Sequence, residues 1–102
     1  MYDIPVSNVL GDLEEQILLC LRSSQGIGTV TEIRQHLSRA HVVVSGGAVD
    51  QTLRRMNQKG WVGSDPEPMR RGAGQVRYWQ LTVQGGETLD RAETIRQAIR
   101  NV

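Results

Sequence analysis

Apolar residues in the first part of this chain recur every three or four positions, the spacing of one face of an α-helix. The apolar positions of this run are Leu10, Leu13, Ile17, Cys20 and Leu21. Asp12, Glu14 and Glu15 fall in its first turns, where the helix dipole favours negative charge, and we interpret the two glutamates as solvated surface. Serines and glycines over residues 23–28 end the pattern. A first helix is therefore predicted from Leu10 to these breakers.

A second amphipathic stretch follows directly. Thr29 and Glu32 fit a capping box at its start, and Thr31 is a competing cap. Its inward-facing stripe consists of Ile33 and Leu37. The stretch ends near Ala40, and the β-branched valines at 42–44 favour an extended connection. The pattern predicts a short second helix.

A third helix is predicted between a capping serine, Ser45, and a glycine stop, Gly60. Its buried stripe consists of Val49, Leu53 and Met56. Its opposite face carries the polar residues Gln51, Thr52, Arg54, Arg55, Asn57 and Gln58. This helix would present a polar and basic face about 20 Å long to its surroundings.

The remaining residues predict two strands and a final helix. Residues 61–64 and 76–81 are rich in bulky and β-branched side chains, and residues 65–74 form a connecting loop of prolines, glycines and arginines. Thr82 caps a helix that runs towards Arg100. The apolar positions of this helix are Leu89, Ala92, Ile99 and Val102, with Ile95 and Ala98 on the flanks. Gly85 and Gly86 weaken its first turns.

This order of elements predicts a winged helix-turn-helix of the mainly α, α+β class: three helices, a two-stranded wing and a C-terminal dimerisation helix. We expect one domain over residues 1–102. It would consist of a tail at 1–9, the winged helix at 10–81 and the C-terminal helix at 82–102. In this arrangement the third helix would enter the major groove of DNA.

The distribution of charge supports a polyanionic partner. The net charge of the 102 residues is only +1, but residues 1–21 carry −4 and residues 22–59 carry +4. The basic middle contains the predicted third helix, and such asymmetry is compatible with nucleic acid. Apolar runs are too short to span a membrane and the first residues do not resemble a signal peptide, so we expect a cytoplasmic protein.

Several segments resemble the PadR family of bacterial transcription regulators. They are Leu18-Leu19-Cys20-Leu21, Val44-Ser45-Gly46-Gly47-Ala48-Val49, Leu53-Arg54-Arg55-Met56, Lys59-Gly60-Trp61-Val62 and Arg77-Tyr78-Trp79-Gln80-Leu81-Thr82. The resemblance covers most of the chain. It implies a homodimer whose last helix packs across the partner, a repressor function, and a small-molecule effector at the dimer interface.

Residues of the third helix and the wing are the candidate DNA contacts. The set is Ser45, Gln51, Thr52, Arg54, Arg55, Lys59, Arg70, Arg71 and Arg77. Arginine binds guanine bidentately, glutamine binds adenine in the same way, and a threonine can contact a phosphate or a thymine methyl group. Wing arginines can reach a phosphate or enter the minor groove. The alternative for each arginine is a solvated surface position.

Trp61 and Trp79 admit two interpretations. The favoured one is a cluster in the core and at the root of the wing, and the other is an aromatic platform for a flat ligand. Cys20 is interpreted as a buried structural thiol, because no base or second cysteine is near it in sequence. His36 and His41 do not share a helical face, so we expect no metal site, and we expect no cofactor.

Two functions remain open at this point. The first is a sequence-specific DNA-binding regulator, a repressor that binds a palindromic operator as a homodimer. The alternative is a winged helix that binds another protein and not DNA. Asp50 on the third helix and Asp65 and Glu67 in the wing motivate the alternative, because they would repel phosphate. An enzyme is not expected, since no set of residues forms a recognisable catalytic group.

Overall fold

The computed structural model of the chain describes residues 10–64, 69–71 and 74–101. These residues form helices and short strands in an order that follows the sequence prediction closely. The elements are α1 (Asp12–Ser23), β1 (Ile27–Gly28), α2 (Val30–Arg39), α3 (Gly46–Gln58), β2 (Val62–Ser64), β3 (Met69–Arg71), β4 (Gly74–Val76), β5 (Trp79–Leu81) and α4 (Val83–Arg100). The winged-helix prediction is confirmed, and the predicted tail at 1–9 lies outside the described residues.

Side-chain caps begin three of the helices where the sequence predicts them. The Thr29 hydroxyl accepts a hydrogen bond from the Glu32 backbone N–H, and the Glu32 carboxylate accepts one from the Thr29 N–H, so the competing cap at Thr31 is not used. The Ser45 and Thr82 hydroxyls accept from backbone N–H groups three residues later, at 3.0 and 2.9 Å. These bonds satisfy amides that a helix start leaves unpaired, which explains why α2, α3 and α4 begin at these residues.

The strands differ from the predicted two-stranded wing. The predicted pairing is present, because β2 and β5 are antiparallel with Val62 opposite Leu81. However, β1 joins the other edge of β5, giving a three-stranded sheet in the order β1-β5-β2. The predicted strand at 76–81 is divided into β4 and β5, and part of the predicted loop is β3, which pairs with β4. The valines at 42–44 form no strand.

The core is mostly aliphatic and includes both tryptophans. The predicted inward stripes of α1, α2 and α3 contribute to it, and Leu89 is the buried member of the predicted α4 stripe, of which Ile99 is exposed. Trp61 and Trp79 are 4% and 1% exposed. The buried apolar residues of the described chain are Ile17, Leu18, Cys20, Leu21, Ile33, Leu37, Val49, Leu53, Met56, Trp61, Val62, Trp79 and Leu89. The placement agrees with the favoured interpretation of the tryptophans as a core and wing-root cluster.

Helix α4 packs on α1. Leu89 is buried, whereas Ile95 and Ile99 are exposed. Two ion pairs join the helices: Arg22 to Asp90 at 2.6 Å, and Arg96 to Glu15. The prediction that Glu15 is solvated surface is wrong, because this residue is buried and has the arginine of α4 as its partner. Burial of a carboxylate is costly unless it is paired, and Arg96 supplies that charge. In the described part of the chain, no helix is long and apolar enough to cross a membrane.

Candidate nucleic-acid interface

One face of α3 is a continuous exposed stripe. Its members are separated by steps of four, three, one and three residues, which places them within about 100° of each other around a helix. The stripe consists of Gly47, Gln51, Arg54, Arg55 and Gln58, all exposed. The opposite face is completely buried through Val49, Leu53 and Met56. Because its apolar face is fixed in the core, α3 holds this stripe, here called the α3 stripe, in one orientation.

Thr52 is not part of the α3 stripe. The sequence places it on the exposed face, and this is wrong, because the residue is 2% exposed. Its hydroxyl donates a hydrogen bond to the Ala48 carbonyl at 2.8 Å and accepts one from Nη2 of Arg55 at 3.2 Å. The hydroxyl therefore both donates and accepts a hydrogen bond inside the protein. Thr52 supports the side chain of Arg55 from beneath.

The two arginines of the α3 stripe differ in their partners. Nε of Arg54 donates to Asp50 at 2.7 Å, an ion pair between residues four apart on one helix. Asp50, which motivates the protein-binding alternative, is thus neutralised by its neighbour. Arg55 makes no ion pair with the described residues. The uncompensated positive charge of the stripe is therefore centred on Arg55.

Ser45 and Lys59 lie at the two ends of α3 and have structural partners. The Ser45 hydroxyl caps the helix. Nζ of Lys59 lies 3.5 Å from Oε2 of Glu14 and 4.7 Å from the centre of the Trp61 ring. Glu14, interpreted from sequence as solvated surface, thus takes part in a contact between α1 and the end of α3. The structure does not bring Lys59 into the α3 stripe.

The basic residues of the wing are placed only in part. Arg70 and Arg71 lie in β3, opposite Gln75 and Gly74 of β4, and their side chains lie outside what the structure describes. Arg77 is exposed between β4 and β5, and its guanidinium carbon lies 5.7 Å from the centre of the Trp79 ring. Asp65 and Glu67 lie outside the described residues. The β3–β4 hairpin nonetheless puts two arginines on one strand of the wing.

Arg34 is a basic residue near α3 that is not among the DNA contacts predicted from the sequence. It is exposed on α2, and its Nε donates to the Val44 carbonyl at 3.1 Å. Its Nη1 lies 3.7 Å from the position that a Cβ on Gly46 would occupy, so the guanidinium lies beside the first residue of α3. No local pattern reveals this neighbour, because it depends on how the connection between α2 and α3 folds.

The candidate ligand residues are separated by the fold. Trp61 lines a half-open cleft of about 530 Å³ against the first half of α4. The other residues of this cleft are Val83, Gln84, Glu87, Thr88 and Arg91. Trp79 is buried, and its Nε1 has no hydrogen-bond partner among the described residues. The two rings do not form a shared open platform.

The thiol and histidine positions do not form a reactive site. Burial raises the pKa of the Cys20 thiol, because desolvation disfavours the thiolate, and this keeps the group in its unreactive form. Within residues 10–64, 69–71 and 74–101, no three histidine, cysteine or acidic side chains are grouped as metal ligands.

Comparison with known families and structures agrees with this architecture. The family model of the penicillinase repressor matches residues 10–73. Among curated proteins, none matches the sequence. The matched family and the similar structures named below consist of transcription regulators and not enzymes, as the sequence predicts.

Three solved structures illustrate the likeness. A PadR-like transcription factor from Bacteroides fragilis has a TM-score of 0.78 and 22% identity, over 87% of this chain and 84% of that one. A PadR family transcription regulator from Clostridium difficile has a TM-score of 0.74 and 20% identity, over 89% and 93% of the two chains. A MarR variant from E. coli, complexed with operator DNA, has a TM-score of 0.65 and 24% identity, over 83% and 54%. At these identities the likeness is one of fold, and it confirms the predicted PadR-like winged helix.

Proposed function

We propose that this chain, which belongs to the penicillinase repressor family, is a sequence-specific DNA-binding repressor that inserts α3 into the major groove. The α3 stripe is the observation that carries the proposal. It combines the side chains that read guanine and adenine edges, arginine and glutamine, on one exposed face of a rigidly packed helix. The major groove of B-DNA is about 12 Å wide and admits a helix of this kind.

Within the α3 stripe, Gln51 and Arg55 are the proposed base-reading residues. Gln51 lies nearer the N-terminal end of α3, the end that contacts base edges in helix-turn-helix proteins. Arg55 has no acidic partner among the described residues and is held by the Thr52 hydroxyl, so its guanidinium is oriented before DNA arrives. Arg54 is the second arginine of the stripe, and we assign it to a phosphate, with its charge partly compensated by the pair with Asp50.

The wing supplies a second proposed contact. Arg70 and Arg71 on β3 and Arg77 at the base of β4 are the basic residues of this segment. Wings and arms of DNA-binding domains reach phosphates or the minor groove with arginine, and we assign these three residues that function. Ser45 and Lys59 are given structural functions, as a helix cap and as a contact between α1 and α3.

A homodimer formed through α4 is part of the proposal. The second half of α4 exposes Ile95 and Ile99, four residues apart on one face. A second copy would cover these side chains and place two α3 stripes about one two-fold axis. Two symmetric reading helices require a palindromic operator with half-sites about one turn of DNA apart.

Ile99→Asp is expected to shift the dimer towards monomer, because a carboxylate replaces an apolar side chain in the proposed interface. Gln97→Asp introduces the same charge on the opposite side of α4 and is the matched control. Sedimentation velocity over a range of protein concentrations measures the change. An unaltered dimer in Ile99→Asp, or an equal loss in both variants, would contradict dimerisation through this face.

The DNA-binding function is tested with the unmodified protein. Fluorescence anisotropy with duplex DNA from upstream of its own gene should show saturable binding that weakens steeply as salt increases, because phosphate contacts release counterions. A random-sequence duplex should bind more weakly at the same salt. Absence of binding at low salt would overturn the proposal and leave the protein-binding alternative, which the Asp50–Arg54 pair does not favour.

We also propose that a small-molecule effector binds this protein. The cleft beside Trp61 combines an aromatic edge with Glu87 and Arg91 of α4, the helix that we assign to dimerisation. A ligand bound there would contact both Trp61, which follows α3, and the first half of α4. We place the protein in the cytoplasm, where such a regulator meets DNA.

A further inference from the structure

We propose that Arg34 of α2 binds a DNA backbone phosphate beside the first turn of α3. The inference rests on the proposed DNA-binding function and adds a contact outside the α3 stripe and the wing. In this proposal Arg34 increases the affinity for DNA and fixes the position of α3 along the duplex, but it does not contribute to sequence preference.

The guanidinium of Arg34 is positioned beside the start of α3 by contacts with Val44 and Gly46. Nε donates to the carbonyl of Val44, in the connection between α2 and α3, at 3.1 Å. Cδ and Nη1 lie 3.8 and 3.7 Å from the position that a Cβ on Gly46 would take. The bond to Val44 uses one of the five N–H donors of the guanidinium, and the other four are on its two terminal nitrogens. A side chain tethered in this way has less freedom to lose when it binds an anion.

The charges around Arg34 favour the binding of an anion. The first turn of α3 contains no acidic residue, and the N-terminal end of a helix carries a partial positive charge. A guanidinium beside that end is therefore electrostatically unfavourable in the isolated protein. The acidic residues of α2 and α3 have other partners: Asp50 pairs with Arg54, and Glu32 accepts from the Thr29 N–H. Among the described residues, Arg34 has no ion-pair partner.

The surface beside Arg34 is open enough for a nucleic-acid backbone. Gly47, the first member of the α3 stripe, is exposed, and a Cβ added to it would meet nothing within 4 Å. Gly46 and Gly47 thus present backbone without side chains next to the guanidinium. With α3 in the major groove, the strand that borders the groove passes the start of this helix. A phosphate of that strand matches the charge and bidentate geometry of arginine.

The test compares Arg34→Ala and Arg34→Lys with the matched control Arg39→Ala, an exposed arginine in the last turn of α2. Binding to a random-sequence duplex and to a duplex selected from a random pool is measured by anisotropy at several salt concentrations. Circular dichroism during heating checks that each variant is folded. A random duplex is a sufficient probe, because phosphate contacts are independent of sequence.

Arg34→Ala should lower the affinity for both duplexes by a similar factor, roughly five- to tenfold per protomer, and reduce the salt slope by about 0.9 per protomer. Arg34→Lys should leave the dependence of affinity on salt concentration unchanged, since lysine keeps the positive charge. Arg39→Ala should match the unmodified protein. The ratio between the affinities for the two duplexes should not change.

An unchanged salt slope in Arg34→Ala would overturn the inference while DNA binding by the unmodified protein still supports the proposed function. An equal loss in Arg39→Ala would also overturn it, since the effect would then reflect net charge alone. If Arg34→Lys lost the slope as well, Arg34 would act through the Val44 contact instead of a phosphate. Failure of the unmodified protein to bind either duplex would reject the function and the inference together.

Discussion

Gly85→Ala is expected to lower the free energy of unfolding by about 3–5 kcal/mol, enough to unfold much of a small domain. Gly85 lies in the first turn of α4. This turn packs against the backbone of Trp61, the residue that precedes β2. A Cβ added there would overlap the carbonyl oxygen of Trp61 and lie 2.9 Å from the carbonyl carbon. Neither can move away easily, because both are backbone atoms.

The backbone of Trp61 is fixed by several contacts at this crossing. Its carbonyl accepts a hydrogen bond from the Thr82 N–H at 3.2 Å, and the Thr82 hydroxyl donates to the Gly60 carbonyl at 2.7 Å. The Gly60 backbone has a φ of +82°, which favours glycine. The end of α3 and the start of α4 therefore form one tightly packed junction, and the extra methyl group must displace one of its two sides.

Gly86→Ala is the matched control for this prediction. A Cβ at Gly86 would meet nothing within 4 Å, although the residue is also in the first turns of α4. Alanine there should stabilise the protein by about 0.5–1 kcal/mol, since it reduces the conformational entropy of the unfolded chain. Urea denaturation followed by circular dichroism measures both variants. Similar unfolding midpoints for the two alanines would refute the close approach at Gly85.

Arg55→Ala is expected to weaken binding to a selected DNA duplex by about 1–3 kcal/mol per protomer, a loss of roughly five- to 150-fold. The side chain is exposed, unpaired with acids among the described residues, and supported by the Thr52 hydroxyl. Removal of a bidentate contact to guanine should also relax sequence preference at one base pair of each half-site. Because the side chain packs on the surface, thermal unfolding should remain nearly unchanged.

The measurement for Arg55 is the affinity ratio between the selected duplex and single-base variants of it. At one base-pair position, Arg55→Ala should bring this affinity ratio close to one. Arg39→Ala, at an exposed arginine of α2, should leave the ratio at every position as in the unmodified protein. A uniform loss across all sequences would move Arg55 from the base-reading group to the phosphate contacts. Unchanged affinity would remove it from the interface.

Local patterns in the sequence predict much of this fold. The apolar stripe of α3, at Val49, Leu53 and Met56, is visible because residues three and four apart share one side of a helix. The caps at Thr29, Ser45 and Thr82 are equally local, since each hydroxyl bonds a backbone N–H three residues away. These signals need no knowledge of distant residues. They were sufficient to identify four helices, the starts of α2, α3 and α4, and most of the polar face of α3.

Some predictions failed where a residue lies on the border between two faces. Thr52 is next to the buried Leu53 in sequence and about 100° from it around the helix, so the pattern alone does not decide its burial. Packing covers the residue, and its hydroxyl becomes a support for Arg55. The arginines of the α3 stripe were predicted correctly as exposed, because they are opposite the apolar stripe.

The sequence by itself determined the winged-helix class, the starts of α2, α3 and α4, and the exposed polar face of α3, because all depend on interactions within a few residues. The tertiary structure alone decided that β1 pairs with β5, that Glu15 is buried against Arg96, and that Arg34 lies beside Gly46. These contacts join residues far apart in sequence or depend on how a connection folds. A two-residue strand has no periodicity to reveal it, and an isolated charge has no local pattern that names its partner.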